Sequence, residues 1–502
     1  MIENELTTLR NGAALPLAEL SEMPLSDFLQ GIIDLTGRQW RIASYFGAME
    51  EEGVSLWCVL AGTDKRLTVM RSWVEHVLPS IVLTCPEAHL FEREIAEQCG
   101  LALDGHPWLK PVRYQRGMQE TDARGNLAPA LPGSGAFYRV EGEEVHEVAV
   151  GPVHAGIIEP GHFRFQCHGE KVYHLEIALG YQHRGIERAL AKGPHPASLY
   201  QMETVAGDTT IGHASAYAMV NEALGDIQAS TAAEAVRALA LELERLANHC
   251  GDMGALAGDV GFLPTMSFCG RLRGDFLNMT ALLCGSRFGR GLIRPGGTLF
   301  GCSPQQSREL IRRLHAIRLD YGDAVRILFD ADLVMTRFDK TGIVSREDAL
   351  AAGLVGPAAR ACGIARDVRS DHPFGLYRAC GLPMQTAASG DVLARAQMRW
   401  KESVAAMDYV HERLDYMPEG DTMRACPPAR PEMLAVALVE GWRGEICHTA
   451  ITDRAGRFLR YKIVDPSFHN WTGLALALRN EQISDFPLCN KSFNLSYCGF
   501  DL

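Results

Sequence analysis

The sequence predicts two domains, a mixed α+β domain followed by a mainly α domain that opens on a β-hairpin. Three observations support this division. The chain has 502 residues, enough for two or three domains. Residues 116–135 are dense in Gly, Pro, Ser and Asn and have no helical or strand period, which is typical of a linker. Short apolar runs precede this segment and long helical periods follow it. We therefore predict domains at 1–115 and 146–502, joined by a linker at 116–145.

The first domain contains short apolar runs that alternate with one amphipathic segment. Ser55–Leu60 and Ile81–Cys85 are rich in Val, Leu and Ile and predict strands. Ala88–Cys99 has polar residues between its apolar positions and predicts a helix. Gly100 stands where a helix stop is expected.

The second domain begins with strands and continues with helices. Glu147–Gly151 predicts a strand, and Gly161–Leu179 predicts a hairpin that turns at Gly169–Glu170. Helical spacing then indicates four helices, at Ala214–Leu224, Thr231–His249, Arg308–Leu328 and Val392–Leu414.

Local signals also indicate how these elements begin and how the chain ends. Thr231 is the expected N-cap of the second helix, with Glu234 completing a capping box. Gly444–Val464 predicts a β-structure. The polar C-terminal segment after it contains too many aromatic residues for a loose end, and we expect it to be buried. These aromatic residues are Phe468, Trp471, Phe486, Phe493, Tyr497 and Phe500.

Composition excludes several classes of protein. Hydrophobic residues make up 47% and charged residues 22%, so the chain can form a large core. The net charge of −12 argues against a nucleic-acid-binding protein, and no nucleic-acid partner is expected. We find no apolar run of membrane-spanning length and no secretory signal at the start. Fourteen cysteines occur without any CxxC motif, which favours free buried thiols in a reducing compartment.

The densest polar cluster is residues 151–188, which contains His154, Glu159, His183 and Arg184. So many His, Arg and Glu residues beside strands indicate a polar site, because buried charges need partners. The alternative is a surface hairpin with satisfied histidines. Gly and Pro around Glu159 favour a loop that places this carboxylate, and a carboxylate with a pKa raised by burial can transfer protons.

Two further clusters have plainer explanations. Glu203–His213 is small and polar and could be only a helix entry, with Thr209 or Thr210 as its cap. In Glu242–His249, the spacing of the charged residues places them on one helix face, where a solvated ion pair is the default expectation.

Several of these stretches together resemble one known family. They are similar to the large subunit of energy-converting nickel–iron hydrogenases of the formate hydrogenlyase type and to the D-type (49 kDa, quinone-site) subunit of complex I. The N-terminal stretch is similar to the C-type (30 kDa) subunit of complex I. The stretches are GPVHAGIIEPGHFRF (151–165), LGYQHRGIER (179–188), ELERLANH (242–249), GSRFGRGLIRPGG (285–297), RGEICHTAITD (443–453) and, for the C-type, FEREIAEQCGLALDGHPWLKP (91–111).

The resemblance implies a fused C/D architecture with a C-type α+β domain and a large-subunit domain built on a central helix bundle. It also implies partners: a small subunit that carries an iron–sulfur cluster, similar to the B-type subunit of complex I, and antiporter-like membrane subunits. The chain would then lie peripherally on the cytoplasmic side of the inner membrane. A protein that resembles this family is readily called a NADH dehydrogenase. We find no strand-linked GxGxxG, so a different subunit should bind NADH.

The chain departs from the hydrogenases at the metal ligands. In that family two CxxC motifs hold nickel and iron through four thiolates. The corresponding positions here are Ala206, Thr209, Ser496 and Gly499, and Cys498 is one place out of register. Alanine and glycine supply no ligand for a soft metal. We therefore predict no metal bound by this chain, and we expect these four positions to line the former metal cavity.

The quinone site of complex I is not reproduced either. In that subunit a Tyr occupies the first cysteine position, which is Ala206 here. The first hairpin loop is two residues longer than in complex I and places Glu159 at the position of the hydrogenase proton-gate glutamate. His154 matches a histidine of the complex I loop, although not the one credited with the quinone contact. His213 matches the histidine after the first hydrogenase CxxC.

Three functions remain open at this point. The first is a nickel-free electron-transfer subunit that passes electrons from the partner cluster to a quinone or similar acceptor. Glu159, His154, His183, Arg184 and His213 would handle its protons. The second is a non-catalytic scaffold or coupling subunit. The third is a hydrogenase with unconventional ligands recruited from Asp208, Cys498 and His213, which the missing thiolates disfavour.

Overall fold

A computed structural model describes residues 6–114, 137–154 and 158–502 of the protein. The predicted linker at 116–145 therefore lies largely outside the described residues. The domain limits that it separates remain predictions.

The N-terminal part is an antiparallel sheet of four strands in the order β1-β5-β4-β3. Strands β3 and β4 are buried along almost their whole length, because α2 packs against β3 and the C-terminal strands β14 and β15 also contact it. The elements of this part are β1 (Thr7–Leu9), β2 (Ala13–Pro16), α1 (Leu25–Gly37), β3 (Arg41–Met49), β4 (Val54–Ala61), β5 (Leu67–Val74), β6 (Val77–Pro79), α2 (His89–Cys99) and β7 (Ala102–Asp104).

The predicted strand at Ser55–Leu60 and the helix that ends at Gly100 are confirmed. The strand predicted at Ile81–Cys85 is wrong. The amides of Thr84 and Cys85 both donate to the carbonyl of Ile81, at 2.9 and 2.7 Å, which closes a turn. Ile81, Val82 and Cys85 of this run are buried in the core, whereas Leu83 is exposed, so the apolar run does not indicate an extended backbone.

A second sheet joins the two ends of the chain. Its strand order is β15-β14-β13-β2, all antiparallel, so Ala13–Pro16 from the N-terminus pairs with a strand near the C-terminus. Strands β13 and β14 are buried throughout. The C-terminal elements are β13 (Met433–Gly441), β14 (Gly444–Thr452), β15 (Phe458–Val464), α14 (Pro466–Ala477), α15 (Phe486–Phe493) and α16 (Tyr497–Asp501).

The predicted hairpin is confirmed. Strands β9 (His162–His168) and β10 (Lys171–Ala178) pair across a two-residue turn at Gly169–Glu170, and β8 (Val145–Val150) adds a third antiparallel strand. Gly169 has a φ of +56°, which suits glycine in such a turn.

Long helices pack beside these sheets, and α6 contacts α7, α13 and α15. Each of the four predicted helices is present. The helices are α3 (Ile186–Ala189), α4 (Ser198–Met202), α5 (Thr210–Gly225), α6 (Thr231–Asp259), α7 (Leu263–Cys284), α8 (Pro304–Phe329), α9 (Asp332–Phe338), α10 (Arg346–Ala351), α11 (Gly356–Ala361), α12 (Val368–Asp371) and α13 (Val392–Asp415), with the short strands β11 (Ile293–Arg294) and β12 (Gly297–Thr298) between α7 and α8.

Two local predictions about helix ends and the tail have opposite outcomes. The cap of α6 is Ser230 and not Thr231, because the Ser230 backbone is extended and its Oγ accepts the amide of Ala233 at 3.1 Å. Glu234 therefore forms no capping box and pairs with Arg237 instead. The aromatic C-terminal segment is buried, as predicted.

All fourteen cysteines lie among the described residues, and none of them forms a disulfide. Across the described ranges, no helix combines the length and the apolar character needed to cross a membrane.

Candidate functional site

Two loops from distant parts of the chain meet at the start of two helices. The first loop, Ala206–Thr209, leads into α5, and the second, Ser496–Gly499, begins α16. Arg184 joins them, since its Nη2 donates to the carbonyl oxygens of Val205 (2.8 Å) and Cys498 (3.1 Å). The structure thus brings together the four positions where the resemblance expects thiolates. We call this region the two-loop site.

A second arginine also spans the two-loop site. Arg443 donates from Nη1 and Nη2 to the two carboxylate oxygens of Asp208, at 2.6 and 2.8 Å, and from Nε to the carbonyl of Asn494 (2.5 Å). The indole Nε1 of Trp442 donates to Thr209 Oγ1 at 3.1 Å. A bidentate pair of this kind fixes the geometry of the first loop. Thr209 is the N-cap residue of α5, but its hydroxyl makes no capping bond.

The second loop leaves no room for a side chain at Gly499. A Cβ at this position would stand 2.7 Å from Cγ of Asp465 and 2.9 Å from Oγ of Ser496. Asp465 cannot easily move aside, because Oδ2 bonds His213 Nε2 (3.0 Å) and Oδ1 accepts the amide of Ser467 (2.8 Å). Ser496 Oγ itself accepts the amide of Gly499 at 2.9 Å and caps α16. The position of the last expected thiolate therefore faces a buried carboxylate.

Asp465 begins a linear chain of hydrogen bonds that the sequence did not suggest. His213 Nδ1 lies 3.1 Å from His448 Nε2, and His448 Nδ1 lies 2.9 Å from the Tyr461 hydroxyl. All four side chains are buried. Burial and the neighbouring His213 lower the pKa of His448 well below its usual value, so this ring is neutral.

Glu159 lies beside the second loop. Its Oε2 accepts the amide of Tyr497 at 3.3 Å. Burial, and then the neighbouring Glu159, raises the pKa of Cys498 to about 11, so this cysteine is a neutral thiol. Its Sγ lies 3.4 Å from Ser496 Oγ. Among the described residues, and apart from its chain neighbours, no atom lies within 4 Å of the point where a Cβ would stand on Gly207. Gly207 is exposed, so the first loop borders open space on the side of the solvent.

His183 lies near the site but binds the C-terminal helix. Its Nδ1 lies 2.7 Å from the carbonyl oxygen of Asp501. Burial lowers the pKa of His183. The Asp501 carboxylate accepts the amides of Gly180 (2.7 Å) and Gln182 (2.8 Å), and burial raises its pKa to about 6. His154 contacts its own hairpin instead, since its Nε2 lies 3.1 Å from the carbonyl oxygen of Gly161.

The polar face of α6 differs from the sequence prediction. Glu242, Arg245 and His249 were expected in a solvated ion pair, but all three have zero exposure. The expectation is wrong because α6 lies between α7, α13 and β13, so its polar face is covered. These residues belong to a buried cluster, which we call the α6 charge network. Its charged members are Glu242, Arg245, Arg360, Asp367, Arg369, Glu402 and Glu440.

Sequence reasoning missed four residues of the two-loop site: Arg443, Asp465, His448 and Tyr461. The motif RGEICHTAITD contains Arg443 and His448 and was used only for the resemblance. The antiparallel register that pairs β14 with β15 brings His448 and Tyr461 together, and the sequence contains no signal for that register. Within the part of the chain that the structure describes, no group of three or more His, Cys, Asp or Glu side chains is placed to hold a metal ion.

Comparisons with known proteins agree with the predicted resemblance. Residues 23–124 match the family of the respiratory-chain NADH dehydrogenase 30 Kd subunit, and residues 259–434 match that of the 49 Kd subunit. The chain is 29% identical to the carbon monoxide-induced hydrogenase of Rhodospirillum rubrum, over 70% of this chain and 97% of that protein. It is 28% identical to formate hydrogenlyase subunit 5 of Escherichia coli, over 91% of this chain and 81% of that protein.

A third relative is named as a C/D subunit. The chain is 26% identical to the C/D subunit of NADH-quinone oxidoreductase from Bacteroides thetaiotaomicron, over 84% of each protein. The structure contains mixed helix and sheet in both parts, with the 30 Kd-like part first and the 49 Kd-like part second. The similarity to these relatives and the order of the two matched parts thus support a fused C/D-type subunit similar to those of complex I and of the formate hydrogenlyase-type hydrogenases.

Proposed function

We propose that this chain is the nickel-free electron-transfer subunit of a membrane-associated oxidoreductase complex. Electrons from an iron–sulfur cluster in a partner subunit would reduce a quinone or a similar acceptor at the two-loop site, with proton uptake from groups of this chain. The observation that carries the proposal is the chemistry of the four ligand positions, which hold Ala206, Thr209, Ser496 and Gly499.

These positions do not fit a nickel–iron centre. The alanine and the glycine supply no ligand, and hydroxyls are poor ligands for a soft metal that prefers thiolates. Asp465 occupies the space that a side chain at position 499 would need. Cys498 is the nearest thiol, and its raised pKa disfavours the thiolate form that metals bind.

The exposed surface beside Gly207 is the region where we place the acceptor. Arg184 and Arg443 hold the two loops in place around it, and both guanidinium groups are engaged in hydrogen bonds within the protein. Glu159 is half-buried beside Cys498, and we assign proton transfer at this edge of the site to its side chain. His183 is neutral and its Nδ1 is bonded to the backbone carbonyl of Asp501, so its Nε2 is the ring nitrogen to which we assign a role in proton transfer. We also propose that His154, whose ring contacts the hairpin, takes part in proton entry.

Relatives named as subunits or components of larger assemblies support the existence of partner subunits. We propose a small subunit with an iron–sulfur cluster and antiporter-like membrane subunits as these partners. The chain would attach peripherally on the cytoplasmic side of the inner membrane. If NADH is the electron donor of the complex, a different subunit would bind it.

A scaffold function is the second candidate, and one observation favours it. Asp465 and His213 are hydrogen-bonded and buried behind the second loop, so part of the former metal region is filled by side chains. A filled site is expected in a subunit that only couples its neighbours. The two candidates differ in whether the space beside Gly207 is used.

The first test measures nickel and iron per copy of this chain in the purified complex, with hydrogen uptake and reduction of a short-chain quinone on the same sample. We expect iron without nickel, no hydrogen uptake and measurable quinone reduction. Stoichiometric nickel with hydrogen turnover would overturn the nickel-free proposal.

The second test fills the open space. Gly207→Leu adds a side chain where nothing obstructs a Cβ, and quinone reduction should then fall while the complex stays assembled. Gly270→Leu is the matched control, because Gly270 is exposed on α7 and also has open space around it. Equal turnover in both variants would favour the scaffold function.

A further inference from the structure

The α6 charge network contains an unequal number of acids and bases. It includes four carboxyl groups, from Glu242, Asp367, Glu402 and Glu440, and three guanidinium groups. None of the seven side chains is more than 6% exposed. If every group were ionised, the network would carry one uncompensated negative charge in the protein interior.

A buried uncompensated charge is costly, and proteins usually avoid it by binding a proton. His249 is the first group to consider, since its Nε2 lies 3.1 Å from Glu402 Oε2. Its Nδ1 is buried without a partner, so a second N–H on this ring would have no acceptor. Burial lowers the pKa of His249 accordingly. The proton therefore belongs on a carboxyl group.

Three of the four carboxylates are well compensated. Glu242 accepts from Arg245 Nε (3.1 Å) and Arg369 Nη1 (3.0 Å). Asp367 accepts from Arg369 Nε (3.0 Å) and Nη2 (2.6 Å).

Glu402 accepts from Arg360 Nε at 2.8 Å and from His249. Although burial opposes ionisation, Arg360 holds the pKa of Glu402 well below its usual value.

Glu440 is the remaining acid, and it shares its cation. Its Oε1 accepts from Arg360 Nη1 at 2.8 Å, and its Oε2 accepts the backbone amide of Val368 at 3.0 Å and no other donor of the described residues. Arg360 also serves Glu402. The charged groups that face Glu440 are Asp367, Arg360, Arg369 and Arg245, with Arg41 from the N-terminal sheet, which is itself paired with Glu445.

We propose that Glu440 is a proton-binding site that holds one proton in the resting protein and exchanges it when the two-loop site changes charge. Burial, and then the negative charge of Asp367, raises the pKa of Glu440 to about 7, which agrees with this assignment. Proton uptake converts one carboxylate into one carboxylic acid and removes the excess charge of the network.

The position of Glu440 links this proton to the two-loop site. Arg245 donates to the carbonyl oxygens of Glu440 (2.7 Å) and Gly441 (3.0 Å), at the end of β13. The next two residues, Trp442 and Arg443, donate to Thr209 and Asp208 in the first loop. The negative charge of an electron placed on an acceptor there would raise the proton affinity of Glu440, which stands two residues before Trp442 in the chain. This coupling rests on the proposed function, whereas the bound proton does not.

The test uses infrared spectra of the purified complex at about pH 6, below the pKa of Glu440. Wild type minus Glu440→Gln should show the carbonyl band of one protonated carboxyl group. At this pH Glu440→Gln removes no charge, although its NH2 group replaces an oxygen that accepts a hydrogen bond, so it should lower the unfolding midpoint less than Glu402→Gln does. Glu402→Gln removes a compensated charge and should lower that midpoint clearly.

Two results would overturn the bound proton: the absence of this band, or equal destabilisation by the two glutamine variants. If Glu440→Gln does not fold, Asp367→Asn gives an independent measurement. It removes the acid that disfavours ionisation of Glu440, so the same band should disappear at a lower pH than in wild type. A band that titrates unchanged would contradict the assignment.

The coupling has its own readout. At about pH 8, above the pKa of Glu440, reduction of the complex with dithionite should increase the Glu440 band in wild type, and the change should be absent in Glu440→Gln. A static band without a change on reduction would overturn the coupling while leaving the proton-binding site intact. Failure of quinone reduction together with an intact static band would count against the proposed function and not against the proton.

Discussion

The two-loop site and the α6 charge network are both polar clusters, but they are built differently. In the two-loop site, Arg184 bonds only backbone carbonyls, and Gly207 borders open space. In the network, Arg360 bonds Glu402 and Glu440 inside a core that water does not reach. The first arrangement positions two chain segments around a space. The second compensates charge.

This difference shows that similar residues can serve opposite purposes. Arginine fixes loops when its guanidinium N–H groups reach backbone carbonyl oxygens, and it neutralises acids when it is buried with them. We therefore expect substitutions in the network to change stability and substitutions in the two-loop site to change turnover. The following predictions test this separation.

The largest effect is expected at the centre of the network. Arg360→Met should lower the free energy of unfolding by about 3–5 kcal/mol, because it leaves the buried carboxylate of Glu402 and the buried carboxyl group of Glu440 without their shared cation. Urea unfolding of the chain within its complex measures this change. Arg312→Met is the matched control, since Arg312 is exposed and pairs with Glu309 on the surface of α8, and it should leave the midpoint unchanged. Equal midpoints for both variants would contradict the compensation argument.

The next effect is expected in how the free energy of unfolding depends on pH, through Asp501 at the edge of the two-loop site. Burial raises the pKa of Asp501 to about 6, so the folded chain binds more protons there than the unfolded chain between about pH 4 and pH 6. This contribution to stability is present below about pH 4 and is lost as the pH rises through 6, by about 3 kcal/mol. Asp501→Asn cannot ionise and should lack this slope.

Unfolding curves at several pH values measure the difference between wild type and Asp501→Asn. The exposed Asp323→Asn serves as the control and should keep the wild-type slope. Parallel stability profiles for wild type and Asp501→Asn would show that Asp501 is not protonated in the folded chain.

Glu159→Gln should reduce quinone turnover about a hundredfold, because an amide cannot transfer the proton that we assign to this carboxylate. The unfolding midpoint should stay the same, since Glu159 is only half-buried. The control is Glu144→Gln, a change of the same kind at an exposed carboxylate beside β8. Unchanged turnover of Glu159→Gln would remove this residue from the mechanism.

The smallest effect is expected from loosening the two loops. Arg184→Met removes the bonds to Val205 and Cys498 and should lower kcat/KM about tenfold, mainly through KM, because the acceptor loses its ordered surroundings. Arg184→Lys keeps the charge but lacks the planar guanidinium donors, so it should restore only part of the lost kcat/KM. Arg188→Met, exposed on α3, is the control. A pure loss of stability with normal kinetics would place Arg184 with the network instead.

Part of the fold could be predicted because its signals are local. The hairpin at Gly169–Glu170 depends on a turn that suits glycine, and the long helices depend on apolar spacing. The run at Ile81–Cys85 misled the prediction because a turn that buries part of its residues and a short strand can have the same apolar composition. Ser230 could replace Thr231 as the cap because both residues can accept the same amide, and backbone geometry decides between them.

The candidate site was predictable in its positions and not in its contacts. The motifs located Ala206 and Gly499, but they did not show that Asp465 lies against position 499. Nor did helical spacing show whether Glu242 and Arg245 face water or a second element. Burial depends on which segments pack together, and those partners are distant in sequence.

The sequence by itself determined the order of the two parts, the main helices and the hairpin, the loss of the four thiolates, and the resemblance that the comparisons confirm. Only the tertiary structure decided that Arg184 and Arg443 join the two loops, that Asp465 meets His213, and that four acids share three guanidinium groups in the core. The physical reason is the separation along the chain between the residues that determine each feature. Turns and helical periods arise from neighbours along the chain, whereas charge compensation and space are set by residues that meet only when the chain has folded.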